Sequence, residues 1–371
     1  MENNTQLKEM IRSMVIDILQ GQKQEMASSQ PIKQAPRGQV EPGVFDTVDE
    51  AIQAAKAAQA RFEDCTLATR EKVIADIRAA MRPRVQELAQ KTVDETGMGR
   101  VADKVLKLNL TLNKTPGVED LVTECETGDN GMTLYELSAY GVIGAITPST
   151  NPAETLICNS IGMLAAGNAI FFSVHPGAKN LSRELVSELN QVIAKSIGIE
   201  NLIVTLREPS IESAQEMMLH PDVSLLVVTG GPGVVKQALQ SGKKVIGAGA
   251  GNPPAFVDET ADIKKAAQDI VLGASLDNNI LCIAEKSVVA MRQIEPQLVQ
   301  EMVKAGCVLL ENQQDIQRLV DLTVLPNGTP NKKFVGKNAS VILDAAHIPY
   351  NGDPRLIIMR APKNHPFAVI E

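Results

Sequence analysis

Ser224-Leu225-Leu226-Val227-Val228 runs directly into Thr229-Gly230-Gly231-Pro232-Gly233, and residues 234–240 then repeat at helical spacing. An apolar run, a glycine-rich turn and a helix, in that order, are the parts of a crossover in a parallel sheet. Free N–H groups at the start of such a helix, together with its dipole, can face a phosphate. An ordinary tight turn uses the same residues, and this segment alone does not separate the two readings.

The same alternation extends to both sides. Strand-like runs at residues 142–147, 169–173, 202–205 and 223–228 are each followed by a helical pattern, at 153–165, 181–196, 211–219 and 234–240. Val245-Ile246 continues the series. Strands that are apolar throughout and separated by helices predict a parallel sheet covered on both faces. A second alternation begins at Asp262, with helices at 262–274, 295–305 and 315–322, strands at 287–290 and 307–310, and extended runs at 340–343 and 356–360. The expected fold is therefore α/β, with two doubly wound units at residues 44–258 and 259–371.

Between these units lies the stretch that carries the chemistry. Its first end is Lys243-Lys244-Val245-Ile246-Gly247-Ala248-Gly249-Ala250-Gly251-Asn252-Pro253-Pro254. A dinucleotide fingerprint should follow a strand and open a helix, but Asn252-Pro253-Pro254 blocks a helix and Ala255-Phe256-Val257 reads as another strand. A tight strand-to-strand crossing competes with a cofactor role here. Its second end, Asn278-Asn279-Ile280-Leu281-Cys282-Ile283-Ala284-Glu285-Lys286, sets one thiol in an apolar run near the junction of the units, where clefts usually lie. Cys282 is a candidate nucleophile, and a small buried hydrophobe is the competing reading.

Ahead of the first sheet, residues 5–19 carry Leu7, Met10, Ile11, Met14, Ile18 and Leu19 at helical spacing. Residues 21–43 are rich in Gln, Ser, Lys, Pro and Gly and read as a linker, which leaves residues 1–20 as a tethered amphipathic helix. Such a helix either packs back on the body or docks elsewhere. Helices are expected at 47–61, 68–95 and 101–113, with Pro83 breaking the second, and Gly128-Asp129-Asn130-Gly131 predicts a hairpin turn.

With 371 residues, 44% of them hydrophobic, the chain has enough apolar material for more than one core. A net charge of −8 provides no general basic field for nucleic acid or an anionic membrane. No apolar run approaches a membrane span and nothing resembles a cleavable signal peptide, so the expectation is a soluble cytoplasmic protein. The five cysteines are scattered and odd in number, which suits a reducing compartment. The four histidines include no pair at metal-ligand spacing, so no metal is expected.

Taken in this order, the motifs resemble those of the aldehyde dehydrogenase superfamily, and most closely the CoA-acylating acetaldehyde and propionaldehyde dehydrogenases of bacterial ethanolamine- and propanediol-utilisation microcompartments. The likeness covers nearly the whole chain. Tyr140-Gly141-Val142-Ile143-Gly144-Ala145-Ile146-Thr147-Pro148-Ser149-Thr150-Asn151-Pro152 is similar to the segment whose asparagine helps form the oxyanion hole. His175-Pro176-Gly177 stands at the place of the adenosine-ribose segment, with His where many relatives carry Lys; Thr229-Gly230-Gly231-Pro232-Gly233 stands at the pyrophosphate loop and Cys282 at the nucleophile.

The resemblance implies a cofactor-binding domain at 44–258 and a catalytic domain at 259–371, incomplete at its C-terminus. It implies NAD bound by Thr147, Pro148, Ser149, His175, Pro176, Gly177, Thr229, Gly230, Gly231, Gly233, Gly247, Ala248, Gly249 and Glu371. In the implied chemistry the Cys282 thiolate attacks an aldehyde, and the Asn151 amide and the Cys282 N–H stabilise the oxyanion. The glutamate that activates water in hydrolytic members is replaced here by Gly247. Without that base a thiol is the better acceptor of the thioester, and coenzyme A is the expected co-substrate. A hydrolytic enzyme and a catalytically silent fragment are the alternatives. The resemblance also implies a homo-oligomer, a location inside a microcompartment, and docking of residues 5–19 on a shell or core protein.

Overall fold

The computed structural model describes residues 41–249 and 251–370. The helix expected at 5–19, most of the linker after it and Glu371 lie outside the described residues. From β1 (Val44–Phe45) the chain passes into four helices, α1 (Val48–Glu63), α2 (Leu67–Met81), α3 (Val85–Thr96) and α4 (Val101–Lys114). The side chain of Thr47 caps α1 by accepting the Glu50 N–H at 3.3 Å, and Thr66 caps α2 by accepting the Thr69 N–H at 3.2 Å. The break expected at Pro83 is a single 3₁₀ turn, Arg82–Arg84, because proline brings no N–H to continue the helix. The hairpin follows as β2 (Glu124–Gly128) and β3 (Gly131–Tyr135), antiparallel, with Gly128 opposite Gly131.

Strands and helices then alternate as the sequence predicts: β4 (Val142–Ile146), α5 (Pro152–Ala165), β5 (Ala169–Ser173), α6 (Lys179–Ile197), β6 (Ile203–Leu206), α7 (Ile211–Leu219), β7 (Val223–Thr229), α8 (Pro232–Leu239) and β8 (Lys244–Ala248). The strands form one six-stranded parallel sheet in the order β1-β6-β5-β4-β7-β8. β4, β5 and β6 are buried over their whole length, as continuous apolar runs require. Phe62, Ile77, Leu156, Ile157, Phe171 and Phe172 are among the most deeply buried side chains of its core. Each such burial contributes about 1.5–3 kcal/mol, so the stability of this half concentrates between the sheet and the helices that cover it.

The second alternation comprises β9 (Pro254–Val257), α9 (Ile263–Ser275), β10 (Ser287–Ala290), α10 (Glu295–Lys304), β11 (Cys307–Leu310), α11 (Gln313–Thr323), α12 (Ala339–Ala345), β12 (Leu356–Met359) and α13 (Pro366–Val369). β9 pairs in parallel with β10, and β11 with β12. The chain therefore leaves the six-stranded sheet at Gly249, before β9, rather than after Asp258. One expected element is corrected. Residues 340–343 were expected to be extended and are helical in α12, where Ala339 and Leu343 are buried at i and i+4, and Leu343 and the C-cap Ala346 share a cluster with Ile316 and Leu319. A four-residue apolar run does not by itself distinguish a strand from a buried helix. Among the described residues no helix is long and apolar enough to cross a membrane.

Candidate active site

Strand order locates the cleft. From β4 the chain steps to β5 and β6 on one side, then returns to place β7 and β8 on the other, so the topological switch lies between β4 and β7. Ligands of open α/β sheets sit at the carboxyl ends of the strands at such a point. Ile146 is in register with Ser173 on β5 and with Val228 on β7, and Val228 is in register with Gly247 on β8. Four loops expected to bind cofactor therefore leave one edge of the sheet side by side: Thr147-Pro148-Ser149, His175-Pro176-Gly177, Thr229 to Gly233, and Gly247 to Gly249. Backbone hydrogen bonds tie them together, from Thr147 N–H to Ser173 O at 3.2 Å and from Gly230 N–H to Ala248 O at 3.1 Å.

Their chemistry fits a dinucleotide. No side chain caps the N-terminus of α8, so its first N–H groups are available to an anion. A methyl built on Gly231, Gly233 or Gly249 would meet no described protein atom within 4 Å, which leaves room for a pyrophosphate to approach the backbone. The Thr147 hydroxyl is buried and has no partner among the described residues. Nδ1 of His175 accepts the Gly177 N–H at 3.0 Å, which leaves Nε2 as the protonated donor of the neutral ring. Although His175 is exposed by surface area, the protein atoms around its ring lower its pKa, and the charge of Lys332 lowers it further.

Asn151 is the N-cap of α5, and Pro152 opens the helix in the first position, where its missing N–H costs nothing. The Asn151 Nδ2 lies 3.3 Å from Thr150 Oγ1, and its Oδ1 accepts from the ammonium of Lys107. Lys104, one turn earlier on α4, donates to the Thr150 carbonyl at 2.6 Å. Both lysines reach the Asp277 carboxylate, Lys104 at 2.8 Å and Lys107 at 2.5 Å, and Lys107 lies 3.2 Å from Glu154. All four side chains are buried, and their charges balance two against two. Burial lowers the pKa of Lys104. It also pulls on Lys107, where the Glu154 and Asp277 carboxylates outweigh it and the net shift is upward.

Asp277 opens the loop that carries Cys282, and it does so through an unusual backbone. Asp277, Asn278 and Asn279 are successively left-handed, with φ of 51°, 56° and 63°. Asp and Asn tolerate this region better than other side-chain-bearing residues, and each such residue still costs on the order of 1–3 kcal/mol. The turn is held from several directions. Asp277 Oδ1 accepts the Arg100 N–H at 2.9 Å, and the Asp277 N–H donates to Asp103 at 2.9 Å. Asn278 donates to the Gly336 carbonyl and to Asn338, both at 2.8 Å. Asn279 donates to the Ala274 and Glu285 carbonyls, at 2.6 and 3.1 Å. Cys282 follows, half-buried, with Ile283 turned 80% to solvent. Lys286 Nζ donates to the carbonyls of Leu281 at 2.9 Å and Ala284 at 3.3 Å, one on each side of the thiol residue. The two ends of the central stretch are in contact, because the Gly251 backbone presses on the Cys282 carbonyl.

Gly247, the position without a base, is a β8 residue whose added Cβ would lie 3.1 Å from Val235 Cγ1. Glu371 lies outside the described residues. Lys104, Lys107, Glu154 and Asp277 are absent from the sequence-based site, since lysines on an amphipathic helix read as a solvated face. The only hint was the turn-prone triplet Asp277-Asn278-Asn279.

A sequence profile described as "Aldehyde dehydrogenase family" matches residues 18–321. A CoA-propanoylating propanal dehydrogenase of Salmonella typhimurium is 46% identical over 370 residues, spanning 100% of this chain and 77% of that protein. A Rhodopseudomonas palustris propionaldehyde dehydrogenase, solved with bound CoA and an acylated cysteine, is 46% identical with a TM-score of 0.87, over 89% of this chain and 76% of that one. A propionaldehyde dehydrogenase from the Clostridium phytofermentans fucose utilisation bacterial microcompartment is also 46% identical, with a TM-score of 0.85 over 88% of this chain and 75% of that one. With its strand order, its four loops at one sheet edge and these relatives, the chain belongs to the aldehyde dehydrogenase family, and its near relatives are CoA-acylating members of it.

Proposed function

We propose that this protein oxidises a short-chain aldehyde, acetaldehyde or propionaldehyde, to its acyl-CoA with NAD, reversibly, through a thioester on Cys282. The observation that carries this reading is the contact of Gly251 with Cys282, two residues beyond Gly249. Gly249 leaves the sheet edge where the dinucleotide loops converge, and Gly251 lies on Cys282. Two residues span at most about 7 Å, so the thiol loop is tethered close to that edge.

The Cys282 sulfur adds to the aldehyde carbon, and the carbonyl oxygen becomes an oxyanion that the Asn151 amide and the Cys282 N–H stabilise. A dinucleotide held by the four loops would supply, when bound, the acceptor for the hydride that leaves this carbon. The C–S bond remains and the C–O⁻ becomes C=O, leaving a thioester. Gly247 offers no base for water, so CoA thiolate attacks the acyl carbon and the Cys282 thiolate leaves. Thioester exchange is nearly isoenergetic, which keeps the sequence reversible.

The test follows NADH spectrophotometrically with each aldehyde, with and without CoA. Withholding CoA should give one NADH per active site and an acylated Cys282 detectable by mass spectrometry, and adding CoA should restore turnover with acyl-CoA as product. Steady release of free acid without CoA would identify a hydrolytic enzyme and sink this reading.

The relatives' names and the apolar stripe of residues 5–19 support a finer reading, in which the protein is a cytoplasmic homo-oligomer enclosed in a bacterial microcompartment. Residues 5–19 are the segment that docks on a shell or core protein, and many copies on one oligomer add avidity. Deleting residues 1–20 should leave turnover intact and abolish co-sedimentation with shells; retained co-sedimentation would refute the role.

A further inference from the structure

We propose that Lys107 is a positioning residue that sets the orientation of the Asn151 amide, and that Asp277 makes one rigid unit of that amide and the Cys282 turn. An asparagine amide can present either its oxygen or its NH₂ to a ligand, and only the NH₂ stabilises an oxyanion. An ammonium has no acceptor. A Lys107 that touches Asn151 therefore accepts only the orientation with Oδ1 toward α4, which turns Nδ2 away from α4. The long 3.3 Å approach of Nδ2 to Thr150 Oγ1 engages one N–H at most and leaves the other for a ligand.

Lys107 cannot swing aside to release the amide, because Asp277 at 2.5 Å and Glu154 at 3.2 Å hold it in a buried site. Lys104 fixes the preceding residue through the Thr150 carbonyl and binds the same Asp277 carboxylate. Asp277 begins the left-handed turn that delivers Cys282 five residues later. The oxyanion donor and the nucleophile loop thus share one buried carboxylate, and neither moves without the other.

This inference rests on the roles proposed for Asn151 and Cys282, and a double-mutant cycle separates its failure from theirs. The measurement is the single-turnover rate of NADH formation in the full chain, together with the KM values for NAD and CoA. Asn151→Ala should slow hydride formation by about 10²-fold, the usual loss for one oxyanion donor. Lys107→Gln, whose amide can accept as well as donate, should slow it to a similar extent with both KM values unchanged. The double variant should be no slower than Asn151→Ala alone. Lys107→Arg, which is again donor-only, should restore most of the rate.

Full activity of Asn151→Ala would overturn the oxyanion reading and this inference with it. A slow Asn151→Ala combined with multiplied losses in the double variant would overturn the inference and leave the reading standing. Should Lys107→Gln fail to fold, Lys107→Met/Glu154→Gln removes one cation and one anion together and enters the same cycle with the same two outcomes.

Discussion

Gly251 lies against the backbone carbonyl of Cys282 so closely that a methyl on its Cα would sit 2.1 Å from the carbonyl oxygen. The obstacle is backbone on both sides, so no side-chain rotation relieves it. Gly251→Ala therefore forces the Cys282 turn to shift. A displacement of about 1 Å at a nucleophile costs on the order of 10²-fold in rate, so this variant should lose most of its acylation while still binding NAD. An unchanged single-turnover rate would show that the loop is freer than its contacts imply.

The cysteines should divide by environment. Burial pushes the Cys307 thiol up to about 11, so roughly one molecule in a thousand carries its thiolate near pH 8. Under native conditions a thiol reagent should spare Cys307 and modify Cys282, along with exposed Cys125 and Cys158. Cys282→Ala should abolish aldehyde oxidation, whereas Cys65→Ala, Cys125→Ala, Cys158→Ala and Cys307→Ala retain it. Full turnover by Cys282→Ala would remove the covalent mechanism altogether.

His175 offers a test of dinucleotide choice. Its folded pKa is lowered, so the ring is neutral at pH 7 and gains charge only below its ordinary value. A neutral Nε2–H suits a ribose hydroxyl better than a 2′-phosphate. The ratio of kcat/KM for NADP over NAD should therefore rise as pH falls below the ordinary histidine value of about 6.5. His175→Lys should raise the NADP value at neutral pH by about tenfold, the worth of one charge-assisted hydrogen bond. A ratio that ignores both pH and this substitution would place the ribose elsewhere.

Most of the fold was legible because its signals are local. Apolar runs such as Ala169–Ser173 and the glycine-rich turn at Thr229 report strands and a crossover without reference to the rest of the chain. The helix α12 was missed because its apolar run is too short to show a period. The partnership of β9 with β10 was missed because strand pairing is a long-range property. At the site, the order of motifs singled out Cys282 and Asn151 as candidates. It did not indicate Lys104 or Lys107, whose burial exists only once α4 packs beside Asp277, 173 and 170 residues further along the chain.

That buried cluster yields the last prediction. Asp277 and Lys104 are fully buried, and Lys107 nearly so. Removing one partner of such a group leaves an unmatched charge and costs about 3–5 kcal/mol. Asp277→Asn keeps the shape, the acceptor for the Arg100 N–H and the tolerance for a left-handed φ, so it isolates the charge. Asp277→Ala also loses the left-handed preference and should be the less stable of the two.

The pH dependence of stability then identifies which lysine yields. Burial already holds the folded pKa of Lys104 below its unfolded value, with Lys107 repelling it and Glu154 and Asp277 supporting it. Between those two values the unfolded chain binds more protons, so stability rises with pH. Lys107 behaves oppositely, since its raised pKa places its loss of stability above the ordinary lysine value. Below that value Lys104 is the one of the two lysines that acts, and the opposing effect of the buried Cys307 thiol, raised to about 11, is common to parent and variant. Denaturation midpoints measured from about pH 7 to pH 10 should climb more steeply, and from a lower pH, in Asp277→Asn than in the parent. Parallel curves for the two proteins would mean that Asp277 carries no charge the lysines depend on.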